Sequence, residues 1–399
     1  MVPEREASLL YQGDNNHGSP TTDRYELPDN SGLESFVDDL VRNEPPKFIK
    51  PEQLQSLSER IHIDPDNLVL PEGLTAEDLE GIVTLSLYTE CATTLYADEF
   101  DKAGEKYGQP WLSGFTRKVW EPDERQHHLP FKAILMQMGR SEDDIDAQVR
   151  QIQNVDYLHE SGDTPAHLAS YGMIQEFMTR NWYTKMRGVL KENSPEASQI
   201  VKLVEAREAL HTTWYSRMLA MQIEQNPELI RNMAEAIAYF QLPGNQLGEP
   251  VRELQAKTFD WLPLIQGDMA KLRNDVVRVS AAALNNDREL VGRFLMEMGY
   301  TKIGWLNSAP GEVLRSAVNR LGFPGRGILG EAVLESAGLD RLFEGEEKRV
   351  MSPGWVRAKF RTAVAEKIRR NLDSTFGFDG SKASIELKPS EEVELQVDK

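Results

Sequence analysis

Residues 204–211 read VEAREALH, and residues 120–128 read WEPDERQHH. Each stretch sets a Glu three positions before a His: Glu208–His211 and Glu124–His127. On a helix, positions i and i+3 lie one above the other, so each pair can aim an oxygen and a nitrogen at a common point. The spacing alone discriminates poorly, because Glu59–His62, Asp14–His17 and Asp156–His159 share it. A single pair of this kind is ordinarily a solvated helix face.

Two further acids set the first pairs apart. Between Gly81 and Tyr96 the only charged residue is Glu90, and between Pro165 and Thr179 the only carboxylate is Glu176. A lone ionised carboxylate is expensive to bury unless it is paired or bound to a metal. Taken singly, either acid could equally face water from a half-exposed helix. Glu124 follows Glu90 by 34 positions, and Glu208 follows Glu176 by 32. Each interval fits one helix, a turn and part of an antiparallel partner. The chain therefore repeats a unit: a helix with a lone Glu, then a helix with Glu-x-x-His. Two such hairpins closing on each other would bring four carboxylates and two imidazoles to one interior point. That is the ligand set of dinuclear carboxylate bundles. Carboxylates can bridge two cations, and imidazole suits iron.

The rest of the sequence supports a helical scaffold. From residue 75 to about 290, long helical stretches alternate with short breakers, and the alternation typical of strands is nearly absent. Thr75 with Asp78 forms a variant capping box that starts the first long helix, and Ser194-Pro195 starts another. The predicted fold class is all-α, an antiparallel four-helix bundle core with additional helices. Its predicted parts are a flexible N-terminal arm (1–45), the helical bundle (46–290), a helical C-terminal extension (291–380) and a polar tail (381–399).

Composition narrows the function classes. A formal net charge of −19 disfavours nucleic-acid binding, which needs a basic footprint. A single cysteine, Cys91, excludes an internal disulfide framework and fits a reducing compartment. No apolar run reaches the length of a membrane span, and the N-terminus lacks the basic start and apolar core of a secretory signal. The expected location is cytoplasmic.

At the ligand positions the sequence resembles the soluble acyl-acyl-carrier-protein desaturases of the ferritin-like di-iron superfamily, over about residues 78–250. LYTECATTLY is similar to that family's first ligand helix, and WEPDERQHH to its Trp-x-x-acid-Glu-x-x-His, with Trp120 four residues before Glu124. MIQEFMT matches the third helix and REALHTTWY the fourth. The resemblance implies a ferritin-like bundle in which Glu90, Glu124, His127, Glu176, Glu208 and His211 hold two Fe2+ ions. It makes Thr179 the catalytic hydroxyl on the oxygen-binding side, with O2 as co-substrate. It further implies acyl carrier protein as partner, ferredoxin or a similar electron donor, and a homodimer.

The sequence departs from that pattern in places. The family usually carries an Asp before its last ligand Glu and an Arg before the following His, where this chain has Arg207 and Leu210. That change puts ligand orientation and electron delivery in question. Pro122 and Pro130 flank the Glu124–His127 pair, and each is placed to kink its helix. His128 points about 100° away from His127 around a helix. His167 and Cys91 read as structural. GRGILG (325–330) satisfies G-x-G-x-x-G without a preceding strand, and the basic stretch at 354–370 reads either as a solvated face or as a dock for an acidic carrier. Three functions follow as expectations: an acyl desaturase, another di-iron oxidase that hydroxylates or N-oxidises a small metabolite, or a non-catalytic metal-binding bundle.

Overall fold

Every regular element among the described residues is helical, as the spacing of apolar residues predicts. The computed structural model describes residues 25–297, apart from positions 48, 158, 160, 239, 241, 249–250, 256, 258–260, 262–268 and 296. The described residues belong to the unit spanning Met1–Ser336, while a second unit, Ala337–Lys399, lies outside them. So do GRGILG, the basic stretch, the acidic tail and all of the C-terminal extension except 291–295 and 297.

The chain begins its described course with α1 (Ser31–Asn43) and α2 (Pro51–Ser58). Residues 1–24 lie outside the description, but a loose arm reaching to residue 45 is not what the chain forms. Leu33, Phe36, Val37 and Leu40 fall on one face of α1 at i, i+3, i+4 and i+7, and all four are buried. The polar residues around them mask this stripe in composition.

The expected first long helix starts at its cap. Thr75 and Asp78 bond each other reciprocally at 2.9 and 3.1 Å, opening α3 (Ala76–Cys91). The helix ends at Cys91. The chain breaks at Ala92, and α4 (Thr93–Lys106) continues from there. Hydroxyls crowd this point: Thr89 Oγ1 bonds the carbonyls of Leu85 and Ser86, Thr93 Oγ1 bonds that of Glu90, and Tyr96 donates to that of Thr89. Side chains that compete for helical carbonyls bend helices.

The second ligand helix is interrupted as well. After α5 (Pro110–Phe115), residues Thr116–Trp120 form a π turn, followed by α6 (Glu121–Glu124), a turn, and α7 (His128–Gln137). Pro122 has no N–H to return to the turn before it, and the widened turn accommodates this, with Glu121 N–H donating to the Thr116 carbonyl. Pro130 sits in the first turn of α7, where proline is tolerated. Helix α8 (Glu142–Ile152) follows.

The other hairpin is unbroken. Helices α9 (Pro165–Asn193) and α10 (Pro195–Gln225) hold 29 and 31 residues, each over 40 Å long at about 1.5 Å per residue. Ser194 is the entire joint: its N–H closes α9 on Leu190, and its Oγ caps α10 at Ala197. These two helices pack against each other more extensively than any other pair. Along α10, Ile200, Val201, Val204, Met218 and Leu219 are all fully buried, each contributing about 1.5–3 kcal/mol of hydrophobic stabilisation. Helices α11 (Ile230–Ala238) and α12 (Met269–Ala283) pack on this pair. Among the described residues no helix is long and apolar enough to cross a membrane.

Candidate metal centre

Glu90 stands near the end of α3, two residues before the break, and is 5% exposed. From Gly81 onward α3 is apolar almost all round and buried accordingly, so the one acid in that part does not face water. Glu176 lies in the middle of α9, with Ile174, Phe177 and Met178 buried around it. Glu124 ends α6, His127 precedes α7, and Glu208 and His211 share one face of α10. All six side chains are buried.

They converge on one place. One group able to hold a metal ion comprises Glu90, Glu124, His127 and Glu208; a second comprises Glu124, Glu176, Glu208 and His211. Within each group the ligand atoms lie within 4.8 Å of one another. Glu124 and Glu208 belong to both. His127 Nδ1 approaches Glu124 Oε2 at 3.1 Å and Glu208 Oε1 at 2.9 Å. His211 Nδ1 approaches the same Glu124 oxygen at 3.1 Å and the other Glu208 oxygen at 3.7 Å. The two imidazoles are nearly parallel, 5.5 Å between centroids. Thr179, one turn beyond Glu176, is half-buried and accepts a hydrogen bond from Gln175 at 3.0 Å. Among the described residues the other pairs of like spacing, Glu59–His62 and Asp156–His159, enter neither group, and Asp14–His17 lies outside the description.

Five polar atoms at this point have no hydrogen-bond partner. Glu124 Oε2, both Glu208 oxygens, and Nδ1 of His127 and of His211 are buried and unsatisfied. Buried polar groups are rarely orphaned, and orphans that face one another in a shared space fit a bound cation. Charge agrees: four carboxylates bring a formal −4, which two divalent cations would neutralise. Without cations the acids must share protons. Burial and the neighbouring Glu124 and Glu208 carboxylates push Glu90 and Glu176 well above the ordinary carboxylate range. Burial acts against charge on His127, yet Glu124 and Glu208 outweigh it and raise its pKa well above the usual value.

The surroundings orient the ligands. Asp123, one residue before Glu124, accepts from His211 Nε2 at 2.8 Å and from Arg207 Nε at 2.6 Å on one oxygen, and from the Lys47 backbone N–H at 2.8 Å on the other. Trp120 Nε1 donates to Glu176 at 3.1 Å, and the buried Tyr183 hydroxyl donates to Glu90. Arg117, itself bonded to Asp98 and Asp101, holds Glu121 and thereby the π turn.

No protein-family model matches the chain, and no curated protein matches it.

Several of its parts are not apparent from local sequence. Tyr183 lies seven positions after Glu176, on the same helical face, yet its partner is 93 positions away in sequence. Arg207, noted as a departure from the desaturase pattern, bridges to Asp123 across 84 positions. His128 is outside both ligand groups. His167 is structural: it is fully buried, with Nδ1 at 2.8 Å from Thr164 Oγ1 and Nε2 at 3.2 Å from Glu235. Cys91 is buried with its thiol on the Tyr88 carbonyl, as a packing residue would be.

Proposed function

We propose that this chain is an O2-dependent di-iron oxidase of ferritin-like architecture, acting as a desaturase on an acyl chain carried by acyl carrier protein. The observation that carries the reading is the pair of four-residue groups sharing Glu124 and Glu208. Shared carboxylates and one histidine per group form the donor set of di-iron and di-manganese carboxylate bundles. When bound, a pair of ferrous ions supplies electrons to O2 and the oxidising power to break an unactivated C–H bond.

The chain's own residues perform the remaining tasks. Glu124 and Glu208, common to both groups, would hold both ions, and Glu90 and Glu176 would each hold one. Tyr183 and Trp120 each engage an oxygen of an outer carboxylate and so limit its rotation. Phe131 packs against Tyr183 at 5.0 Å, both buried, and so excludes water beside Glu90. Thr179, one turn beyond Glu176 on α9, is the hydroxyl to which this reading assigns proton delivery on the oxygen-binding side, as in the desaturases that the sequence resembles. The overall balance is an alkane segment, O2, two electrons and two protons in, and an alkene with two waters out. A ferredoxin or similar donor provides the two electrons, and a homodimer is the assembly this reading carries with it.

A second reading, hydroxylation or N-oxidation of a small metabolite, is favoured by a polar aromatic wall. Tyr96 and Tyr157 pack edge-on at 5.1 Å, and His159 meets Tyr171 at 4.4 Å, beside the α3–α4 break and five residues before Glu176. The discriminating experiment incubates iron-loaded, reduced protein with O2 and either acyl-loaded carrier protein or free small acids and amines. Loss of two hydrogen masses from the acyl chain supports desaturation. Gain of one oxygen on a small molecule, with the acyl chain untouched, retires it.

A further inference from the structure

The two halves of the centre are alike in ligands and unlike in support. His211 donates its Nε2–H to Asp123 at 2.8 Å, which fixes the tautomer and leaves the Nδ1 lone pair facing Glu124 and Glu208. Asp123 is itself immobile, 1% exposed and bonded by Arg207 and by the Lys47 backbone. Arg207 also stacks over Trp214, whose ring lies 5.1 Å from His211. His127 has no such support: among the described residues no side chain or backbone group bonds its Nε2. Its ring is placed by the turn between α6 and α7 and by contact with the facing carboxylates. Its supporting residue would come from the position before Glu208, the place that Asp123 holds before Glu124. Arg207 occupies that position and reaches to Asp123 instead.

We infer that the two metal positions are unequal and fill in order, first Glu124–Glu176–Glu208–His211 and then Glu90–Glu124–Glu208–His127. This rests on the proposal that the centre holds two ions. A carboxylate behind a ligating histidine presets ring orientation and strengthens the donor nitrogen, and losing one typically weakens metal affinity about 10–100-fold. The same factor is the gap expected here between the first and second binding steps. A chain with one ion then carries it on the α9–α10 side, and order of addition places two different divalent ions at chosen positions.

The test uses Co2+ added stepwise to the metal-free full chain, followed by proton NMR and by native mass spectrometry. The first equivalent is expected to bring up one paramagnetically shifted ring N–H, slow to exchange with deuterium because Asp123 holds it. That resonance persists in His127→Ala, which is expected to retain one tight ion, and disappears in His211→Ala. Asp123→Asn is expected to weaken the first step about 10–100-fold and leave the second unchanged. Should that variant not fold, judged by circular dichroism, the wild-type and His127→Ala spectra still decide the order. Two ions bound with equal affinity, or a first ion whose signals vanish in His127→Ala, overturn the ordering while leaving the dinuclear reading intact. Saturation at fewer than two ions in the folded wild type overturns both.

Discussion

The two hairpins present the same ligands from opposite kinds of backbone. In α9–α10 the ligands Glu176, Glu208 and His211 sit inside uninterrupted helices joined by one residue. In the other pair every ligand is next to an interruption: Glu90 before the break at Ala92, Glu124 at the end of a four-residue helix, and His127 in the turn before α7. One hairpin is a rigid platform with its hydrogen-bond ladder intact. The other has given up regular bonds at the points where its ligands point inward, so its half of the centre is the adjustable one.

The largest effect that could break this comparison is on metal content. Glu208 belongs to both ligand groups and Glu90 to one, so Glu208→Ala should abolish binding of both ions, whereas Glu90→Ala keeps one. Metal analysis of the folded variants decides between these outcomes. If Glu90→Ala also removes both, the platform does not hold an ion by itself.

Backbone stability should differ as well. Amide exchange at 90–96 and 116–128 is expected to run at least about ten times faster than at 173–178 and 205–212, because irregular segments open locally at lower free energy. Metal addition should slow the first set more than the second. Equal protection in both would remove the distinction.

Packing sharpens the same contrast. Ile200 on α10 and Ile134 on α7 are both fully buried. Replacement by Ala costs about 2–5 kcal/mol in general, set by how far the surroundings collapse into the cavity. Ile200→Ala, between two unbroken helices, should fall near the top of that range. Ile134→Ala, on the interrupted second ligand helix, should fall near the bottom. Chemical denaturation of the metal-loaded protein measures both.

The smallest effect is that of pH. Glu90 and Glu176 have raised folded-state pKa values, from burial and then from neighbouring carboxylates, and so does His127, from the acids that face it. Raised groups stabilise the metal-free fold fully below their ordinary values, 4.5 for Glu and 6.5 for His, and lose that contribution as pH rises through the folded-state values. A cation replaces the displaced protons. The Tm gap between loaded and metal-free protein should therefore widen from about pH 5 to about pH 8. A gap that narrows over this interval would show that the acids are not protonated in the metal-free centre.

How much of this was legible in sequence follows from range. Glu90 and Glu176 stand out because one carboxylate in an otherwise apolar stretch is conspicuous, and together with them the two Glu-x-x-His pairs announce a shared face. The capping residues Thr75 and Ser194 are local signals and the helices begin where they predict. The break at Ala92 was missed because it depends on which hydroxyls turn back onto carbonyls, a contest between rotamers rather than a pattern of residue types. Pro122 and Pro130 gave warning of an irregular second helix, but not that the chain would absorb it as a π turn. Asp123 with Arg207 and Tyr183 with Glu90 are encounters between distant segments, which appear only once the hairpins have closed.

The central claim is that six buried side chains from these hairpins hold a pair of metal ions. It is tested most directly by loading the folded, metal-free chain with Fe2+ under anaerobic conditions and counting bound iron after gel filtration. Two irons per chain, falling to none in Glu208→Ala, is the predicted result. A folded wild-type chain that binds no iron would contradict it.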